Sequence, residues 1–508
     1  MKKQTVKKVL RGLGRGLMGF FVVLSFLALF SARWYINTYG DLGFDSVLYT
    51  LLANMNGVQS DLLSSWAKFT LPATVLFSAP ALALVFFRSR RKIVLRINTW
   101  KLRLFPLHKA VSVFVSIALC AGLLFGAAQT VKLDAYIAGL SQVSTIYEDE
   151  YRDPATVEIT FPEQKRNLIY IYLESMETSY LSKEQGGALN YNIIPELYTL
   201  ARENINFSNN TDVGGFSVAP GASWTIGAMV GQTAGIPLKT PPNVGGNDYG
   251  EDGDFLPGVT ALSDILHENG YYQALMVGSD SAFGGRKQYY TLHNTDRIYD
   301  LFTAREDGLI PYDYLVWWGF EDAYLYTYAK QELTALASQE QPFAFTMLTV
   351  DTHHIDGYFC NDCQNTYAEQ YENVISCASR QVADFVAWIQ QQDFYENTTV
   401  VVVGDHASMD NAYFQRVQAG DYQRHVYNCF INSAATTENT QNRRFYTYDM
   451  FPTTLAVMGC TIEGDRLGLG TNLFSAQPTL LEATSGSILT ELSKASRYYT
   501  ENFFFAKS

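Results

Sequence analysis

Three uncharged windows, residues 16–32, 69–87 and 110–130, constrain this chain before anything else. They are 17, 19 and 21 residues long, close to the ~20 residues with which a helix crosses a bilayer. The basic stretch ahead of the first window also fits a signal peptide. Two further windows and the adjacent Trp34-Tyr35 interface pair favour a retained anchor. Lys2, Lys3, Lys7, Lys8, Arg11 and Arg15 precede the first window. Arg88, Arg90, Arg91, Lys92, Arg96, Lys101, Arg103 and Lys109 separate the second from the third. The interval 33–68 holds only two basic residues against Asp41, Asp45 and Asp61. The excess of Lys and Arg on cytoplasmic loops then places the N-terminus and the 88–109 loop inside, and everything after about Lys132 outside. Residues 46–60 are apolar but too short to span, which predicts an interfacial or packed helix.

Charge follows the same division. The first 130 residues carry 16 basic and 3 acidic groups; of 37 and 50 in all, 21 basic and 47 acidic remain, a net of −26 beyond the windows. So acidic a domain excludes a nucleic-acid binder, which needs clustered Lys and Arg. An anionic substrate would have to meet local positive charge, a metal or a placed Arg. At 508 residues the chain exceeds one comfortable core. The expected organisation is a membrane domain over 1–131, an acidic linker over 132–160, an extracytoplasmic domain over 161–480 and a helical tail over 481–508.

From Asn167 onward, apolar runs alternate with longer mixed segments. The runs 168–173, 274–277, 343–350, 399–403 and 427–431 predict strands, and 257–268, 326–338 and 374–391 predict helices. The alternation implies an α/β domain around a mainly parallel sheet. The glycine-rich stretch 242–253 reads as variable surface, and 485–505 as an amphipathic helix packed on the domain. Of six cysteines, Cys120 lies in the third window. Cys360 and Cys363, with Cys377 following, point to a disulfide among the three in an oxidising exterior; no second pair at zinc-ligand spacing is present. Cys429, within an apolar run, reads as a buried thiol.

Five fragments carry chemistry. Glu174 closes the run 168–173, where a carboxylate is costly unless paired or metal-bound, although strand-end acids also cap helices. Gly404-Asp405-His406 closes another run. A carboxylate and an imidazole there suit a divalent Mn²⁺, Mg²⁺ or Zn²⁺, the alternative being a surface ion pair. Ser223-Trp224-Thr225 opens a small-residue helix. Either hydroxyl is an N-cap or a nucleophile activated by a metal and the helix dipole. Thr349-Val-Asp351-Thr-His353-His354 offers a histidine to protonate a leaving oxygen or hold a phosphate. Arg286 follows the 274–277 run with the forked geometry that fits phosphate; Lys287 reads as its solvated neighbour.

Together and in this order, these fragments resemble the alkaline phosphatase/sulfatase superfamily. Within it they are similar to the membrane-anchored phosphoglycerol transferases, the group of lipoteichoic acid synthase and the periplasmic-glucan phosphoglycerol transferase. The resemblance covers roughly residues 167–474. It is most specific over 223–238, 349–357 and 404–406, with the Asp449-Met-Phe-Pro-Thr-Thr-Leu and Arg466-Leu-Gly-Leu-Gly-Thr-Asn-Leu-Phe474 segments behind; the first two look closest to the glucan branch. It implies a sulfatase-like α/β fold and one Mn²⁺ or Mg²⁺ on Glu174, Thr225, Asp405 and His406. It implies Thr225 as nucleophile, and Arg286 and His353 as phosphate-binding and proton-handling groups. The family's Arg-x-x-Tyr setting is reproduced by Arg286 and Tyr289, whereas the Trp two residues before that Arg is Gly284 here. No Cys/Ser-x-Pro-x-Arg signature surrounds Thr225, which disfavours sulfate-ester hydrolysis. The implied activity is a transferase: glycerophosphate from phosphatidylglycerol to an envelope glycan or glycolipid, at the bacterial inner membrane. The alternatives are phosphoethanolamine transfer, polyglycerophosphate polymerisation, or a degenerate membrane-tethered sensor.

Overall fold

The structure is a computed structural model that describes residues 2–40, 44, 47–48, 60–86, 93–97, 100–105, 109–239, 254–419 and 422–506. Most of the 46–60 stretch and all of the 242–253 loop lie outside the described residues. The chain divides into two compact units, one drawn mainly from residues 1–137 and one running from residue 138.

The first unit contains helices α1 (Lys2–Tyr39), α2 (Ser60–Phe86) and α3 (Lys109–Thr130). Val22, Phe26 and Phe30 of α1 pack among Ala73, Ala81 and Leu82 of α2 and Leu119, Cys120 and Leu123 of α3. Two reciprocal bonds tie α1 to α2: the Trp34 indole donates to Ser65 Oγ (3.2 Å) and the Trp66 indole to Ser31 Oγ (3.0 Å). Among the described residues, Gly12–Tyr39 and Ala110–Thr130 are long and apolar enough to cross a membrane. The second expected span, 69–87, falls on α2. Pro72 and Pro80 lie inside that helix, each removing a backbone donor from its ladder. Two of the three expected crossings thus fall on helices that meet the requirement by length and composition among the described residues. The basic loop between α2 and α3 holds an antiparallel hairpin, Ile93–Ile97 against Trp100–Phe105.

The second unit is built on a seven-stranded sheet. Its strands are β1 (Asn167–Leu173), β2 (Gly215–Phe216), β3 (Tyr272–Val277), β4 (Arg297–Tyr299), β5 (Phe343–Leu348), β6 (Thr398–Gly404) and β7 (Val426–Ile431). Their order is β2-β7-β6-β1-β5-β3-β4. β1, β3, β4, β5 and β6 run parallel, while β7 is antiparallel to β6 and β2 to β7. All five expected strands are present, in a sheet that is mixed at one edge. Period-two alternation sends Leu168, Tyr170 and Tyr172 into one core and Ile169, Ile171 and Leu173 into the other. Burial on both faces is why these strands read as unbroken apolar runs.

Helix α4 (Thr225–Ala234) covers the first face through Ile226, Met229 and Val230. A short helix, α5 (Arg286–Leu292), follows β3. The second face is covered by α6 (Asp322–Ala337) and α7 (Gln370–Ile389). On α7 the buried Tyr371, Ile375, Ala378, Val382, Phe385 and Ile389 recur at helical spacing. The expected helix over 257–268 is shorter, Leu262–Glu268.

The stretch expected as a linker contributes to this unit from residue 138. Tyr147 is buried against Tyr499 and Phe503, both ring pairs at 5.6 Å. Arg466 bonds Glu150 (3.0 Å), and Ser144 donates to Glu491 (2.8 Å). The tail does pack here, but not as one helix. It forms Ile488–Ser493 and then a wide turn, Tyr499–Phe504, because Tyr499, Phe503 and Phe504 turn inward while Phe505 stays exposed.

Candidate active site

Parallel register begins the assembly. β1 pairs Leu173 with Gly404 of β6, so the next residues, Glu174 and Asp405, emerge side by side at the carboxyl edge of the sheet. On the other flank β5 pairs Leu348 with Tyr172, and the loop bearing Thr349, Asp351 and His353 leaves the same edge. Ligand sites in open α/β sheets form at this edge. Gly404 is required by crowding: a Cβ there would stand 2.0 Å from the Met176 carbonyl. Ser175 turns the chain after Glu174 with φ 57°.

Helix α4 brings the hydroxyl. Thr225 is its first residue, and Thr225 Oγ1 lies 3.3 Å from Glu174 Oε2 and 3.5 Å from His406 Nε2. His406 Nε2 is in turn 3.3 Å from Asp405 Oδ2 and 3.8 Å from Glu174 Oε1. Ser223, the other candidate hydroxyl, makes no hydrogen bond to this group among the described residues. Gln232, two turns along α4, donates to the carbonyls of Gly404 and Asp405 (3.1 Å each) and accepts from the Tyr170 hydroxyl (2.8 Å). The helix is thereby pinned to the end of β6.

Each ligand-type residue splits its polar atoms between the protein and the cluster. Asp405 Oδ1 accepts backbone N–H bonds from Ser175 (2.8 Å) and His406 (2.7 Å), whereas Oδ2 is buried with no hydrogen-bond partner among the described residues. Glu174 Oε1 accepts the Ser175 hydroxyl (2.7 Å). His406 Nδ1 faces the Ala407 carbonyl at 2.9 Å. A carbonyl only accepts, so Nδ1 carries the hydrogen and Nε2 presents its lone pair to the cluster, the arrangement that orients a metal-bound imidazole. Donor atoms around one ion at 2.0–2.2 Å stand roughly 3.3–3.6 Å apart; three of the four spacings above match, and the His406–Glu174 one is longer at 3.8 Å. The residues present suit a divalent cation bound by two carboxylates, an imidazole and a hydroxyl.

Electrostatics agrees. Burial, and then the charge of Glu174, push the Asp405 carboxyl well above its ordinary range. Burial also works against a charged Glu174, but His353, His406 and the Ser175 hydroxyl outweigh it and hold that carboxyl low. Two buried acids at one point, one of them driven toward its neutral form, make a site that a cation relieves.

His353 and Arg286 flank the cluster. Burial lowers the His353 pKa against the raising effect of Glu174, and His406 and Arg286 lower it further. His353 Nδ1 donates to the His354 carbonyl (2.8 Å), leaving Nε2 as the acceptor of the neutral ring. Arg286 is buried at the start of α5, where it donates to Ser279 Oγ (3.1 Å) and to the carbonyls of Phe283 (3.1 Å) and Asp280 (2.6 Å). Tyr289 packs in the core with its hydroxyl 2.8 Å from Thr233 of α4.

Sequence reasoning missed several supports. Thr349 Oγ1 accepts the Glu174 backbone N–H (3.0 Å), and the Thr352 hydroxyl donates to the Glu174 carbonyl (2.5 Å). Trp318 packs at a tilt against His353, with ring centroids 4.7 Å apart, and against Phe283 at 5.3 Å. Buried Glu177 pairs with Arg424 and accepts the Ser408 N–H (3.2 Å), bracing the loop after His406. Glu177 lies three residues after Glu174, and that proximity was the one available signal. The disulfide expected among Cys360, Cys363 and Cys377 is not formed. Their sulfurs gather, but at 3.4 and 3.9 Å they are not bonded. Cys429 is buried, as expected.

The family described as Sulfatase matches residues 166–460. A relative named phosphoglycerol transferase I, from Salmonella choleraesuis (strain SC-B67), is 28% identical over 481 residues, covering 91% of this chain and 56% of that protein. The chain thus spans about half the length of the curated relatives it matches. Among solved structures, the lipoteichoic acid synthase LtaP from Listeria monocytogenes is 18% identical with a TM-score of 0.46, covering 63% of this chain and 79% of that one. The phosphoethanolamine transferase EptA from Neisseria meningitidis is 11% identical with a TM-score of 0.48, covering 88% and 84%. With a match over more than half its length, on the segment that holds every residue of the cluster, the chain belongs to the sulfatase family of the alkaline phosphatase superfamily.

Proposed function

We propose that the chain transfers glycerophosphate from a phosphatidylglycerol-type lipid to a hydroxyl of an envelope glycan or glycolipid, through a covalent intermediate on Thr225. One observation carries this reading. A threonine hydroxyl at a helix N-terminus sits within 3.5 Å of both Glu174 and a His406 whose free nitrogen faces it. The curated relatives named phosphoglycerol transferase I supply the donor group.

Glu174, Thr225, Asp405 and His406 would hold one divalent cation, Mn²⁺ by preference and Mg²⁺ as second choice, which supplies Lewis-acid charge to the phosphoryl group and lowers the hydroxyl's pKa. In the first half-reaction Thr225 Oγ1 bonds to phosphorus and its proton passes to Nε2 of the neutral His353. The phosphorus–oxygen bond to diacylglycerol breaks, and the leaving oxygen takes that proton from His353. In the second, the acceptor hydroxyl loses its proton to His353 and bonds to phosphorus, and Thr225 leaves reprotonated. Arg286 holds a non-bridging phosphoryl oxygen. The apolar helices Gly12–Tyr39 and Ala110–Thr130 would keep the catalytic unit beside its lipid donor on the outer side of a bacterial inner membrane.

The test is release of labelled diacylglycerol from phosphatidylglycerol by the full chain in detergent. Thr225→Ala should abolish release while Ser223→Ala retains it. Turnover unchanged in Thr225→Ala would sink the assignment. Consumption of phosphatidylethanolamine in place of phosphatidylglycerol would move the donor without moving the site.

A further inference from the structure

Among the described residues one other group of metal-ligating side chains gathers: Cys360, Cys363 and Cys377. Cys360 and Cys363 lie on the loop that follows His353, and Cys377 comes from α7. Cys360 Sγ stands 3.4 Å from Cys363 Sγ and 3.9 Å from Cys377 Sγ, and all three sulfurs fall within 4.8 Å of one another. A disulfide needs about 2.05 Å. Thiolates sharing a tetrahedral zinc at about 2.3 Å sit roughly 3.8 Å apart. The observed spacings are those of sulfurs around an ion.

The surroundings give a second, independent argument. Asp322 and Asp351 are both buried beside this loop. Asp322 accepts backbone N–H bonds from Val350 (2.8 Å) and Asp351 (3.0 Å). Neither carboxylate oxygen of Asp351 has a hydrogen-bond partner among the described residues. Cys360 is close enough to Asp351 to add, after burial and Asp322, to the rise of its pKa. Three thiols are thus gathered beside two buried acids, and among the described residues the Gln381 amide, 3.9 Å from Cys360 Sγ, approaches as a side-chain donor. One cation satisfies all three sulfurs at once, whereas a disulfide between two of them would leave the third thiol over.

We propose that Cys360, Cys363 and Cys377 bind one Zn²⁺. Binding expels the thiol protons to solvent and involves no oxidation. The ion ties residues 360–363 to α7 and so anchors the loop that follows His353. Zinc here is structural, distinct from the cation at Glu174, Asp405 and His406.

The experiment uses the full chain in detergent, in a Glu174→Gln background that disables the first site, with zinc measured by inductively coupled plasma mass spectrometry after a mild chelator wash. About one zinc per chain is expected, with loss to background in Cys363→Ser and in Cys377→Ser and retention in Cys429→Ser. Co²⁺ loaded into the same chain should give a thiolate-to-cobalt charge-transfer band that disappears in Cys363→Ser. If the serine variants do not fold, the cobalt spectrum of the chain with its cysteines intact decides. A zinc-free chain overturns the proposal, as does a cobalt complex without sulfur absorption. So does a pair among these three cysteines that resists alkylation until reduced, because it marks a disulfide.

Discussion

The two clusters at the carboxyl side of the sheet are built on opposite plans. The Glu174–Asp405–His406–Thr225 cluster draws its residues from the ends of two adjacent parallel strands and the start of a helix, and each is oriented by a bond to the chain beside it. The Cys360–Cys363–Cys377 cluster draws on one loop and one helix, and its sulfurs contact mainly each other. The first presents hard oxygen donors and one imidazole around a half-buried hydroxyl; the second presents soft sulfur in an enclosed pocket. On the two proposals above, donor softness and access would assign different metals and different work to the two clusters.

Four perturbations sharpen or break that contrast. Thr225→Ala carries the largest effect. Loss of a covalent nucleophile should reduce diacylglycerol release by roughly ten-thousand-fold or more, with zinc at the cysteines untouched. Asp405→Asn comes next. It removes a ligand and should weaken Mn²⁺ binding by on the order of a hundred-fold or more, read by isothermal titration; equal loss of cysteine-bound zinc would show the two sites to be one cooperative unit. Gln232→Leu leaves every ligand in place but frees the carbonyls of Gly404 and Asp405. About a ten-fold loss of Mn²⁺ affinity follows, the lower end of what supporting residues contribute.

The smallest effect is on pH. Asp405 must lose its proton to bind a cation, so acidification below its raised pKa should weaken Mn²⁺ by about ten-fold per pH unit for the one proton displaced. In the metal-free chain the sign reverses. A carboxyl whose folded pKa lies above its unfolded value contributes stability that is fully present below the unfolded value and is lost as pH rises through the folded one. Metal-free melting temperature should therefore fall with rising pH across that window, while the Mn²⁺-loaded chain moves the other way.

Much of the site was legible from local pattern. Glu174 and Asp405-His406 stood out because doubly buried strands are unbroken apolar runs, and a charged residue at such an end has few inexpensive roles. The resemblance then singled out Thr225, and the geometry brings that hydroxyl rather than Ser223 to the cluster. The short strands β2 and β4 left no pattern, since two or three residues cannot display a period. The antiparallel direction of β7 was equally hidden, because an apolar run has no sign.

The sequence by itself determined which segments are buried, where acids and imidazoles interrupt them, and how charge divides between the two ends of the chain. These are local properties, encoded by periodicity and side-chain polarity. Only the tertiary structure decided register, and with it the placing of Glu174 beside Asp405 across 231 positions of sequence. Only the tertiary structure set the tautomer of His406 through the Ala407 carbonyl and brought Cys377 of α7 against a pair fourteen and seventeen residues away. Distances between groups far apart in the chain depend on packing, which sequence spacing does not record.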